Sequence, residues 1–141
     1  MIDALILTAA LLAPTEPPNP EPHRVTAPSR GMVGRFQDSN VAKVWAGATA
    51  AERMTWLCIR RHESMSYRGD NPTSSASGAG QWILSTWTGL KHWVRVEGEY
   101  VAREYHQAKD APAWVQDAAF RHVYDHGGLS MWRGTNCPGT G

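Results

Sequence analysis

"TAAERMTWLCIRRHES", Thr49 to Ser64, decides the fold, because it reads as a helix that ends on a lone carboxylate. Thr49 and Glu52 have the spacing of a capping box, in which each side chain satisfies a free backbone N–H at the start of a helix. Met54, Leu57, Cys58 and Arg61 fall along one stripe of that helix, and Glu63 stands at its end. The following stretch, "SMSYRGDNPTSSASGAG", cannot continue it. Pro72 pushes Asn71 into an extended conformation, and Gly, Ser, Asn and Asp supply turns. A polar loop or short β-excursion therefore follows Glu63. His62 and Glu63 begin like the zinc-protease helix H-E-x-x-H, but Ser66 stands where the second histidine is needed. Glu63 then either acts without a metal or is a solvated charge at a helix end.

The chain has 141 residues, enough for one domain with a real core. Fourteen Lys and Arg against thirteen Asp and Glu leave a formal charge of +1, without the electropositive field that nucleic-acid binding requires. Residues 1–13, "MIDALILTAALLA", hold an apolar run too short to span a bilayer and suited to the core of a secretory signal. Asp3 stands where such a signal carries a positive charge, so export and an unstructured end are both open readings. Six of the nine prolines lie between Pro14 and Pro28, and we read 14–38 as a solvated linker and 39–141 as the folded unit.

Ser39 and Asn40 can cap a short helix carrying Val41, Val44, Trp45 and Ala48. "QWILSTWTGL", from Gln81, reads as a short helix ended near Gly89 that presents Trp82 and Trp87. "VEGEYVAREYHQA", from Val96, is a weaker helix candidate because of Gly98. From Asp110 as N-cap, with Pro112 in the first turn, Val115, Ala118, Ala119, His122, Val123 and His126 follow a helical stripe stopped by Gly127 and Gly128. The fold class expected is mainly α. Seven tryptophans are many for this length, and large amphipathic rings suit either a core or a sugar-stacking cleft.

Cys58 and Cys137 stand at opposite ends of the unit. Joined, they close a loop worth roughly 4.5 kcal/mol in the chain-entropy model, and such a bridge fits an exported protein. Free thiols are an alternative. So is zinc, since Cys58 with His62, and His122 with His126, are each one helical turn apart; the plainer reading of His122 is a hydrogen-bonded core residue.

Trp56, Cys58, Glu63-Ser64, the Gly/Ser/Asn-rich stretch, "GAGQWILSTW" and the terminal "GGLSMWRGTNC" together resemble the catalytic domain of resuscitation-promoting factors and related transglycosylase-like proteins, whose fold is lysozyme-like. The resemblance runs from about Ala51 to Cys137, and Gln81, Thr86 and Trp87 fall at the family's spacing after Glu63. It implies a small lysozyme-like domain with Glu63 catalytic, with Gln81, Thr86, Trp82, Trp87 and Ser64 as substrate contacts, and with no cofactor. Three features depart from the family. His62 precedes Glu63 where the family has a cysteine, "SYRGDNPTSSAS" replaces aromatic and Gly-rich residues, and Cys137 lies one residue further from Trp132 than expected.

Cleaving a β-1,4 glycosidic bond needs a proton for the leaving oxygen and something that meets the oxocarbenium-like charge. Glu63 suits the first role if burial raises its pKa. Asp70 is the nearest second carboxylate, but its Gly-Asp-Asn setting favours a turn role. The resemblance therefore implies lytic transglycosylation, in which the 6-hydroxyl of the muramic residue attacks its own anomeric carbon. A muramidase hydrolase using Asp70, a non-catalytic wall-binding module and a zinc-bound structural domain are the competing expectations. The expected partner is the peptidoglycan glycan strand, with a cell-wall peptidase as a cooperating candidate. The expected location is secreted, wall-associated or phage-delivered, with no stable membrane span.

Overall fold

In this computed structural model, which describes residues 39–141, the central element is a helix that starts where the capping box predicts. We number it α2 (Ala50–Glu63), after the helical segment α1 at residues 39–45. Thr49 Oγ1 accepts from the Glu52 N–H at 3.1 Å, and Glu52 Oε2 accepts from the Thr49 N–H at 3.0 Å. The leader and the Pro-rich linker expected at 1–13 and 14–38 lie outside the described residues. Ser39 and Asn40 are already helical in α1 rather than capping it, and Val44 and Trp45 are its buried residues.

The face that α2 buries differs from the expected stripe. Glu52, Thr55, Trp56 and Ile59 point inward, at i, i+3, i+4 and i+7, whereas Met54 is 69% exposed and Leu57 and Arg61 are also exposed. The large Trp56 ring decides the rotation, because the acceptor for its N–H, Asp117, and its stacking partner, Phe120, both lie on the far helix.

That far helix is α4 (Ala113–Asp125). Pro112 is its N-cap, whereas Asp110 caps a short 3-10 turn, Ala108–Asp110, by accepting from the Gln107 N–H at 3.1 Å. It stops at Gly127, whose φ of 77° a side-chain-bearing residue rarely adopts. Val115, Ala118, Ala119 and Val123 are buried as the stripe predicts, but so are Gln116, Asp117 and Phe120, while His126 is exposed and His122 only half-buried. The helix is thus covered on nearly all sides. Its ring partners make the core: Phe120 stacks on Trp56 at 4.7 Å between centroids, and Trp132 meets Trp82 edge-on at 4.8 Å. Such pairs add about 1 kcal/mol each beyond burial.

Two polar residues of α4 tie the rest of the chain to this core. The Asp117 carboxylate accepts from Trp45 Nε1 (3.3 Å), Trp56 Nε1 (2.7 Å) and Tyr67 Oη (2.6 Å). Gln116 Nε2 donates to the Tyr67 and Ala111 carbonyls, and its Oε1 accepts from the Ala79 N–H. The loop after α2 is therefore hung from α4 at both ends. Within it, isolated bridges Asp70↔Ser77 and Ser77↔Trp82 form the small β-excursion expected there.

Helix α3 (Leu84–Leu90) is shorter than expected, since Gln81 and Trp82 belong to the preceding turn and bridge. The helix expected from Val96 is instead a hairpin, β1 (Arg95–Val96) paired antiparallel with β2 (Glu99–Tyr100). Glu97 and Gly98 have φ of 50° and 84°, the positive pair that a two-residue primed turn demands. Gly98, which weakened the helical reading, makes the turn.

A kinked 3-10 segment, Leu129–Thr135, carries the chain to Cys137, which is disulfide-bonded to Cys58 across a Cα–Cα distance of 5.9 Å. Cys58, the one sulfur of the zinc alternative, is thereby in a disulfide and is not a thiolate ligand. The class is the mainly α one expected of a small lysozyme-like domain, and no helix among the described residues is long and apolar enough to cross a membrane.

Replacing Asp117 by alanine strands three donors on three elements, each costing about 1–3 kcal/mol when left buried and unpaired. Urea unfolding of Asp117→Ala should show a loss of about 3 kcal/mol or more, with Asp117→Asn intermediate because it keeps an acceptor oxygen.

Candidate active site

The end of α2, the end of the polar loop and the start of α3 meet in a groove of about 350 Å³. Glu63 lines it, together with Gln81 and Thr86, although eighteen and twenty-three residues separate them from it in sequence. α2 delivers Glu63 because the helix runs one residue short of Ser64, whose extended backbone (φ −164°, ψ 129°) turns the chain away. α3 delivers Thr86 from its first turn, and the loop presents Gln81 at φ 47°. A non-glycine residue holds that backbone only where its surroundings fix it. Here Gln81 Nε2 donates to the Gly78 carbonyl at 3.1 Å, leaving its Oε1 free for a ligand.

The Glu63 carboxyl is held above its ordinary value by partial burial, with the neighbouring His62 charge opposing the shift. Its position at the C-terminal, negative end of a helix also disfavours the anion. A carboxyl in this setting is biased toward the protonated form needed for proton donation.

The other expected contacts divide. Trp82 lines the groove, but at 2% exposure it has little ring surface left for a ligand to stack on. Trp87 is entirely buried, donates Nε1 to the Tyr105 carbonyl at 3.0 Å and does not line the groove, so it belongs to the core. Ser64 is not a groove residue either; its hydroxyl oxygen accepts from the Ser66 N–H at 3.1 Å, closing the turn after α2. Asp70 pairs with Lys109 at 2.7 Å and does not line the groove. Among the groove-lining residues Glu63 is the one acid.

Several lining residues were not singled out from the sequence. Asn71, Ser74 and Ser75 form one wall, and Ile83 and Met131, 53% and 45% exposed, form apolar lips. The wall has a defined polarity. Ser74 Oγ accepts from the Ala76 N–H and Ser75 Oγ from the Leu84 N–H, which leaves their hydroxyl hydrogens to donate. Asn71 Oδ1 is taken by Thr73, which leaves its amide NH₂. The only signal for this in the sequence is the run "DNPTSS", which reads as turn chemistry alone.

Over 62 residues the chain is 40% identical to a protein named probable transglycosylase SceD 2 from Staphylococcus saprophyticus. The match covers 44% of this chain and 22% of that protein. No family model and no solved structure matches. The chain thus shares a segment with a transglycosylase-named protein several times the length of that segment.

A carboxyl with a raised pKa binds its proton more tightly in the folded state, so its stabilising contribution is present at low pH and lost as pH rises through the folded value. Glu63→Gln removes that loss. The variant should melt at a higher temperature than the parent at neutral pH, and the difference should vanish below about pH 4.5, the group's ordinary value. Calorimetry across pH reads this directly.

Proposed function

We propose that this domain cleaves the β-1,4 bond between N-acetylmuramic acid and N-acetylglucosamine in peptidoglycan, as a lytic transglycosylase. Glu63 in its protonated form gives its hydrogen to the leaving glycosidic oxygen as the bond to the anomeric carbon breaks. The resulting carboxylate then takes the proton of the muramic 6-hydroxyl, whose oxygen forms the new bond to the same carbon. No water is consumed, the acid is regenerated, and the product ends in a 1,6-anhydro sugar. Because the nucleophile is part of the substrate, ring closure by proximity replaces a water that a second carboxylate would have to hold.

The observation that carries this reading is the groove in which Glu63, Gln81 and Thr86 converge with no second acid among its lining residues. A hydrolase would need a partner carboxylate across the bond. Asp70, the candidate for it, is committed to Lys109. The segment shared with the probable transglycosylase supports the same class of reaction. Gln81 through Oε1 and Thr86 through its hydroxyl bind sugar acetamido or hydroxyl groups in this scheme. A wall-cleaving role places the domain outside the membrane, secreted or wall-associated, or delivered there by a phage, where a disulfide persists and a wall peptidase is a natural collaborator.

Purified peptidoglycan digested with the parent protein should release muropeptides with anhydro ends, detected by mass analysis. Glu63→Gln should lower that release on the order of a thousandfold, the scale of a lost general acid. Gln81→Ala and Thr86→Val should cost roughly tenfold each, about one hydrogen bond. Reducing-end products without the anhydro mass would overturn transglycosylation in favour of hydrolysis. Tight retention on the wall with no products from the parent would point to a non-catalytic binding module.

A further inference from the structure

A second and larger cavity, about 730 Å³, is framed by α1, the β1–β2 hairpin and α4, and it shares no lining residue with the Glu63 groove. Trp93 stands at its edge with 64% of its surface exposed. Trp45, Trp56, Trp82, Trp87 and Trp132 are all core residues of this domain. Leaving a ring of that size in water forgoes a large share of the stabilisation its burial would bring.

Trp93 is held in this position by local structure. Trp93 closes the turn that leads into β1, its N–H donating to the Leu90 carbonyl at 2.9 Å; Val94 after it is fully buried, and Arg95 opens the strand. Trp93 and Arg95 both line the cavity, and two residues span at most about 7 Å of chain, a reach suited to a pyranose ring and one of its substituents.

Arg95 is a cation in search of an anion. Its guanidinium stacks over the Tyr100 ring at 4.1 Å, while Arg103 stacks over the same ring at 3.5 Å. Two like charges share one aromatic, and among the described residues no carboxylate lies within ion-pair distance of either. The two other Lys and Arg cations of the cavity are already engaged. Lys43 pairs with Glu97 at 3.4 Å and Arg121 is fixed by the Val44 and Ala46 carbonyls and Glu52, while Asp125 lines the cavity without an ion-pair partner among the described residues. Of the Lys and Arg cations of the cavity, Arg95 is thus the one without a carboxylate partner among the described residues, and Trp93 is the exposed indole two residues from it.

We infer that this cavity is a second saccharide-binding site, which takes a carboxylate-bearing hexosamine with its ring on Trp93 and its carboxylate on Arg95. A planar guanidinium matches a carboxylate in geometry as well as charge, and an indole face covers the apolar C–H face of a pyranose. The choice of sugar rests on the proposed substrate, whose muramic residues carry a lactyl carboxylate where no peptide is attached. The existence of the site does not rest on it.

The test uses the full chain carrying Glu63→Gln, so that no turnover intervenes, isotope-labelled and titrated with N-acetylmuramic acid or with N-acetylglucosamine, which lacks the carboxylate. The Trp93 indole N–H should shift saturably with the acidic sugar, and at least tenfold more of the neutral sugar should be needed. Arg95→Gln should weaken the acidic sugar at least tenfold and remove the preference, with the remaining spectrum unchanged. Trp93→Ala should abolish binding as followed at Ala118. Shifts confined to Gln81 and Thr86, equal binding of the two sugars, or an unaffected Arg95→Gln would each overturn the inference. If instead the Trp93 shifts appear while the parent protein releases no muropeptides, the second site stands and the catalytic reading falls.

Discussion

The Asp117 carboxylate is the interaction on which the rest of the architecture depends. A carboxylate buried in a small core is costly unless donors surround it. Here three donors arrive from three separate parts of the chain: Trp45 from α1, Trp56 from α2 and Tyr67 from the loop. Burial pushes the Asp117 pKa up, and the hydrogen bonds from Tyr67 and the two indoles, with the charge of Arg60, pull against it. Its neighbour Gln116 uses its amide NH₂ and its carbonyl oxygen to anchor both ends of the same loop. The tolerance is small, since a side chain at Gly78 would meet Gln116 Oε1 at 2.4 Å. Two adjacent residues of α4 thus fix where α2 ends relative to where Gln81 emerges, which is the geometry that any chemistry at Glu63 requires.

The legible part of this fold is the part encoded by neighbours in sequence. The capping box at Thr49, the breaker chemistry after Glu63 and the glycine stop at Gly127 each involve residues within a few positions, and each appears where it is expected. What was not legible is encoded at long range. Gln116 and Asp117 are polar, so an amphipathic reading of α4 assigns them to solvent, yet their partners lie between five and seventy-two residues away. The rotation of α2 follows from Asp117 and could not be read without it. The hairpin at Glu97-Gly98 was missed for a different reason, because its strands are two residues each, too short for an alternating pattern to outweigh helical propensity.

The site divides the same way. Gln81 and Thr86, at the family's spacing after Glu63, line one groove with it, whereas Trp87 and Ser64, which lie at equally suggestive positions, serve the core and a turn. An aromatic in a small domain is claimed first by the core, where it removes the most apolar surface from water. Of the five core tryptophans, Trp82 and Trp132 line the groove but are only 2% and 3% exposed, and its apolar lips are the side chains of Ile83 and Met131.

That arrangement has a consequence for catalysis. A partly open carboxyl such as Glu63 becomes a good acid only when the remaining water is displaced, and in this groove the substrate itself must displace it. Aliphatic lips and a wall of hydroxyl and amide donors can cover and orient a sugar, but they supply less contact area than a stacked indole. Under the proposed function, such a groove would hold single sugars weakly and depend on whatever keeps the polymer near. A remote anchor on the same rigid domain meets that need, because a chain tethered at one point presents its next units to the groove at a high effective concentration without any new contact there. Trp93 and Arg95, at the entry to a hairpin that shares no residue with the groove, would place the proposed anchor where it does not obstruct the proposed reacting bond.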